Sequence, residues 1–148
     1  MSATVLVPVD GSPLSDRALR HALRRFSDAE VRVYHVIDLF EPDYGPDGEA
    51  ASTYEPMLGT EEWHSFAAAE RDRIFEAASE LSAEYDRTVS TDADVGDPAR
   101  LVVEYADEED VDHVVIGAHG RPSPTRPFFG TVAERVARRA SVPVTIVR

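Results

Sequence analysis

Lysine, cysteine, asparagine and glutamine are all missing from this chain of 148 residues. Without cysteine there are no disulfides and no thiol chemistry. Without lysine a phosphate loop of the G-x-x-x-x-G-K-[ST] kind is excluded, because its lysine must reach the phosphates. A phosphoacceptor receiver domain is excluded too, since it would use a lysine at the end of its fifth strand. The dinucleotide fingerprint G-x-G-x-x-G is also absent. No apolar run is long enough to span a membrane. The opening "MSATVLVPVD" has no basic region before its apolar stretch, so it does not read as a signal peptide. The length suits one domain, 1–148, and a hydrophobic content of 43% is enough to build a core. A cytoplasmic protein is expected.

Positive charge is scarce. There are 28 acidic residues against 15 basic ones, a formal net charge of −13, and every basic residue is arginine. Such a surface stays soluble where salt screens self-repulsion; at about 1 M salt the Debye length is only about 3 Å. The composition therefore reads as that of a halophile's cytoplasmic protein. A GC-rich coding bias favouring Arg, Ala, Asp and Glu would produce the same trend, and both readings can hold together. The sequence shows no basic patch to displace counterions, so neither nucleic acid nor an anionic membrane surface is an expected partner.

What is present alternates. "TVLVPV" (4–9) is an apolar, β-branched run of the kind that forms a buried parallel strand. "SPLSDRALRHALRRF" predicts a helix, with Ser12 as cap, Pro13 in the first turn, and an apolar stripe of Leu14, Ala18, Leu19, Ala22, Leu23 and Phe26. "VRVYHVI" (31–37) is a second strand, and 38–60 a long polar loop with Pro and Gly, of the length that often serves as a lid or binding segment. A helical pattern runs from Glu61 to about Tyr85 through Trp63, Phe66, Ile74 and Leu81. "TVSTDADV" (88–95) is a third strand, Pro98 opens a third helix with Leu101, Val102 and Tyr105 inward, and "HVVIGA" (113–118) is a fourth strand. A loop (119–129), the helix "GTVAERVARRA" and the strand "PVTIV" (143–147) complete the chain. The βαβαβαβαβ order predicts an α/β fold: a five-stranded parallel sheet with helices on both faces and right-handed crossovers.

In such sheets ligands bind beyond the carboxyl ends of the strands, where the winding direction reverses. Asp10 ends the first strand and Gly117 the fourth; if those strands are neighbours, the two residues share one crevice. Gly117 and Gly120 allow a sharp turn or a close approach. Gly130 and Thr131 open a helix whose free N–H groups and dipole suit an anion, and Arg121 and Arg126 are nearby cations. The plainer alternative is a glycine-bearing loop with a threonine near a helix start. Asp10 has its own plain alternative, an Asx-type turn with Gly11 and Ser12.

The spacing Gly117, Gly120, Gly130, Thr131 matches G-x2-G-x9-G-[S/T], the motif of the ATP-binding branch of the universal stress protein family. The resemblance covers the whole chain: "VLVPVDGS", "VYHVID", "VGDPARLVVEYA" and "VPVTIVR" resemble further family segments in order. It implies sheet order 3-2-1-4-5 in a Rossmann-like fold of the adenine nucleotide alpha hydrolase type. It implies ATP as ligand, with Mg²⁺ or Mn²⁺ held mainly by the phosphates. Carried over by position, Pro8 and Asp10 lie beside the adenosine, with Val9 between them a further site residue, and Val36 meets adenine through its backbone. Gly117, Gly120, Gly130, Thr131 and Val132 hold ribose and phosphates; in the same loop Arg121 is a nearby cation and His119 could touch phosphate, its plainer alternative being a solvent-facing loop residue. A homodimer paired through the last strand is implied as well. The chain departs from the family between Gly120 and Gly130, where "RPSPTRPFF" carries Pro122, Pro124 and Pro127; each proline removes a backbone donor.

His35 and His113 lie in strand patterns and read as packing residues. No His/Asp/Glu spacing suggests zinc. No nucleophile–base pair is visible, so efficient catalysis is not expected and weak ATP hydrolysis is the most that follows. The reading is a nucleotide-dependent stress-response switch or sensor. Its alternatives are a dimeric interaction module of the same fold that holds no nucleotide, and a slow ATPase.

Overall fold

The computed structural model describes residues 3–37, 61–118 and 131–148. Along them run β1 (Thr4–Pro8), α1 (Pro13–Arg25), β2 (Glu30–Ile37), α2 (Glu61–Ala83), β3 (Ser90–Val95), α3 (Pro98–Glu108), β4 (His113–Gly117), α4 (Thr131–Arg139) and β5 (Val144–Val147). Each expected element is there, with ends displaced by one or two residues. The expected loops 38–60 and 119–129 lie outside the described residues.

The strands form one parallel sheet in the order β3-β2-β1-β4-β5. The central strands owe their place to composition. Val5, Leu6 and Val7 of β1 and Val114 and Val115 of β4 have no exposed surface, because apolar side chains on both strand faces need cover on both sides. Val5, Val7 and Val115 pack with α1 and α2; Leu6 and Val114 pack with α3 and α4.

The helices bury the faces their periodicity marks. In α1 these are Ala18, Leu19, Ala22 and Leu23, while Arg17, Arg20, Arg24 and Arg25 point to solvent. Ser12 caps the helix, its Oγ accepting from the Ser15 N–H at 3.3 Å. Phe26 departs from the expected stripe: it is the C-cap, half-buried, with its ring 4.8 Å from that of His113. In α3 the buried residues are Ala99, Val102 and Ala106; Leu101 and Tyr105 are only half-buried at its flanks.

A long-range contact finishes α1. The Arg87 guanidinium donates to the carbonyls of Leu23 and Phe26, at 3.0 and 3.1 Å, and to that of Ala29. These are carbonyls at and beyond the helix end, where intrahelical donors run out. Charged hydrogen bonds to half-buried acceptors are among the stronger ones. Arg87→Ala should therefore cost about 2 kcal/mol in urea unfolding. A change below about 0.5 kcal/mol, the range of ordinary surface substitutions, would show that water replaces the guanidinium without loss.

Candidate functional site

The crevice forms where β1 meets β4. Val5 pairs with His113 and Leu6 with Val114; continuing that register sets Val9 opposite Gly117. From β1 the chain runs to β2 on one side, and β4 leads to β5 on the other. This is the point of reversal at which open α/β sheets leave room for a ligand.

The β1 side is tightly held. The Val9 N–H donates to the Tyr34 carbonyl at 2.8 Å, continuing the β1–β2 pairing past Pro8. The Val9 carbonyl lies 2.9 Å from His35 Nδ1. Because a carbonyl only accepts, Nδ1 carries the ring proton there. Gly11 turns with φ +83°, a conformation glycine adopts without steric cost. Asp10 Oδ1 accepts the Ser12 N–H at 2.9 Å. The Asx-type turn, the plainer alternative for Asp10, is thus formed, and its partly buried carboxylate stands at the crevice end of β1.

The β4 side explains one glycine. A Cβ on Gly117 would lie 2.9 Å from the Leu14 backbone C and O atoms. Glycine is needed there so that the first turn of α1 can pack on the end of β4. The Ala118 N–H continues the sheet by donating to the Val147 carbonyl at 2.7 Å. Val36, on the neighbouring β2, is buried.

Thr131 opens α4, and Val132 packs at the margin of the α3–α4 core. Arg135 ties this helix to its neighbour. Its guanidinium binds both carboxylate oxygens of Asp97, at 3.2 and 3.1 Å, while Asp97 also caps α3 through the Arg100 N–H at 3.1 Å. One carboxylate thus fixes α3 and α4 relative to each other. The sequence alone does not show this role, since Arg135 lies 38 residues away.

Of the expected site residues, Pro8, Val9, Asp10 and Gly117 come together at the ends of adjacent strands, and Val36 lies one strand away. His119, Gly120, Arg121 and Gly130, with Arg126 and the three loop prolines, lie outside the described residues. Among the described residues no group of three or more His, Cys, Asp or Glu side chains could hold a metal. The Asp10 carboxylate can accept from hydroxyl or amino donors, and the first-turn N–H groups of α4 form a helix terminus of the kind that favours anions.

Beneath the β1 turn lies a second set of polar groups. His35 is fully buried, edge-on to Phe75 of α2 with ring centroids 6.5 Å apart, and its Nε2 has no hydrogen-bond partner among the described residues. Burial holds its pKa below the ordinary histidine value, against the pull of the Val9 carbonyl, Asp10 and Glu70. Glu70, 5% exposed, is paired with Arg73 at 2.7 Å. Asp16 is pushed up, first by burial and further by Asp10, with Arg20 and Arg73 opposing.

A parallel five-stranded sheet in this order, helices on both faces, defines a Rossmann-like α/β protein with its crevice between β1 and β4. The chain belongs to the universal stress protein family, whose model matches residues 1–148. It is 30% identical to a universal stress protein of Methanocaldococcus jannaschii over 146 residues, 97% of this chain and 81% of that protein. The structure of UspA from Lactobacillus plantarum matches with TM-score 0.76 at 25% identity, covering 99% and 97% of the two chains. A universal stress protein solved in complex with cAMP matches with TM-score 0.64 at 26% identity, covering 99% and 97%.

Two outcomes follow from this geometry. Gly117→Ala should destabilise the fold by about 1–3 kcal/mol, since the new methyl meets backbone rather than a movable side chain; unchanged stability in denaturant would contradict the Leu14 contact. The second concerns pH. An unfolded histidine takes up its proton near pH 6.5, and folded His35 does so only at lower pH. Between these values the unfolded chain binds more protons, so stability is full above about pH 6.5 and falls as the pH drops below it. His21 and His113 act in the same direction. Asp16 has the opposite sign, but nearer the carboxylate range. His35→Asn should shrink the slope of unfolding free energy between about pH 6.5 and 5; an unaltered slope would show that His35 is not held neutral.

Proposed function

We propose that this protein binds ATP in the β1–β4 crevice and acts as a nucleotide-dependent switch or sensor in a stress response, without efficient turnover. The observation that carries the reading is the pairing of β1 with β4, which sets the Asp10 turn beside Gly117 at the point of reversal in the sheet. The relative solved with cAMP supports an adenine nucleotide as the ligand class. In this reading Pro8, Val9 and Asp10 line the adenosine and Val36 meets adenine through its backbone. Asp10 accepts from ribose or adenine rather than facing phosphate, because a carboxylate repels phosphate. Gly117, His119, Gly120, Arg121, Gly130, Thr131 and Val132 surround ribose and phosphates, with the α4 N-terminus as the anion site. A bound Mg²⁺ or Mn²⁺ supplies charge neutralisation on the phosphates.

The protein works as a homodimer joined through β5. That strand is a sheet edge with every residue half-buried in the single chain, and pairing would satisfy its outer backbone groups. Its compartment is the cytoplasm, at high salt, where a net charge of −13 is screened.

Nucleotide released by heat from freshly purified protein and identified by mass spectrometry tests the central reading; ATP, or ADP derived from it, is the expected species. Gly130→Val should abolish both that release and the thermal shift caused by added ATP. No released nucleotide together with no thermal shift would favour the non-binding dimeric module, to which the proline-bearing 121–127 segment points. The salt reading has its own check. The melting temperature should rise between about 0.1 M and about 1 M KCl, and a fall would contradict it.

A further inference from the structure

We propose that His35 is a positioning residue for the nucleotide site, its Nδ1–H fixing the Val9 carbonyl and thereby the peptide that leads into Asp10. The inference rests on the adenine-nucleotide reading above and deepens it.

β1 ends at Pro8, which has no N–H. The next residue, Val9, is held through both backbone groups by consecutive residues of β2. Its N–H bonds to the Tyr34 carbonyl at 2.8 Å, and its carbonyl takes the His35 Nδ1 proton at 2.9 Å. The ring thus supplies a donor where β1 stops. Immediately beyond, Asp10 commits Oδ1 to the Ser12 N–H, so the direction of its carboxylate follows from where the Val9–Asp10 peptide sits.

A packing residue would not be chosen this way. The ring is fully buried with Nε2 unpartnered among the described residues, an arrangement that costs free energy and that an apolar side chain would avoid. What histidine adds over leucine here is the Nδ1 donor. The charged groups acting on the ring are Asp10 at the end of β1, and Glu70 and Arg71 on α2; Arg73 engages Glu70. From α1, Asp16 reaches the same region through its coupling to Asp10 and Arg73. Burial outweighs the two carboxylates and keeps the ring neutral. Its Nδ1–H tautomer is then set by the Val9 carbonyl.

The test compares ATP and cAMP binding by calorimetry at pH 7.5 for the wild type and the His35→Asn, His35→Gln and His35→Leu variants, with folded fraction checked by denaturation. Asparagine carries its amide nitrogen where Nδ1 sits; glutamine carries it where Nε2 sits; leucine has no donor. The Asn variant should bind within about twofold of wild type. The Gln and Leu variants should bind about tenfold more weakly, the scale of one hydrogen bond. Equal binding by all four proteins would overturn the positioning role and leave the nucleotide reading standing. A wild type that binds neither ligand would overturn both. If the Gln and Leu variants do not fold, the Asn variant decides: retained affinity supports the donor role, and a tenfold loss overturns it.

Discussion

Everything at the candidate site depends on the parallel pairing of β1 with β4. That contact brings the ends of two strands far apart in sequence to one edge. It requires both strands to be apolar on both faces, and Val5, Leu6, Val7, Val114 and Val115 meet that requirement with no exposed surface. It also requires a glycine at the end of β4, because α1 starts beside it and leaves no room for a side chain at position 117. The glycine that the spacing marks as part of a ligand loop thus has a separate duty in packing.

The same economy appears at the end of β1. Asp10 closes its own turn through Oδ1. Val9 is pinned through both backbone groups by β2, one of them held by a buried ring. On the opposite side Asp97 caps α3 and grips Arg135 of α4. The β1 turn and the α3–α4 pair are each fixed by a side chain committed to backbone or to a neighbouring helix.

Much of this was legible in the sequence for a simple reason. Period and punctuation are local, so "TVLVPV", "HVVIGA" and the helix starts at Ser12–Pro13 and Pro98 identify elements without knowledge of the fold. The family motif then supplied the strand order, which local pattern leaves open. What remained hidden was pairing between distant positions. The partners of Arg87 cannot be found locally, because Leu23, Phe26 and Ala29 precede it by some sixty residues. His35 looked like packing because its partner is a backbone carbonyl, which has no residue signature. A histidine inside an apolar strand was nonetheless a signal, since a buried imidazole needs a partner for its polar atoms. The period of α1 continues through Phe26, while the chain leaves the helix there.

The central claim is that a nucleotide occupies the β1–β4 crevice. The most direct test is an ATP titration of ¹⁵N-labelled protein followed through its backbone amides. The largest shifts are expected at Val9, Asp10, Gly117, Thr131 and Val132, while Ser90–Val95 of the outer strand β3 stay in place. Shifts centred on β3, or none at saturating ATP, would contradict it.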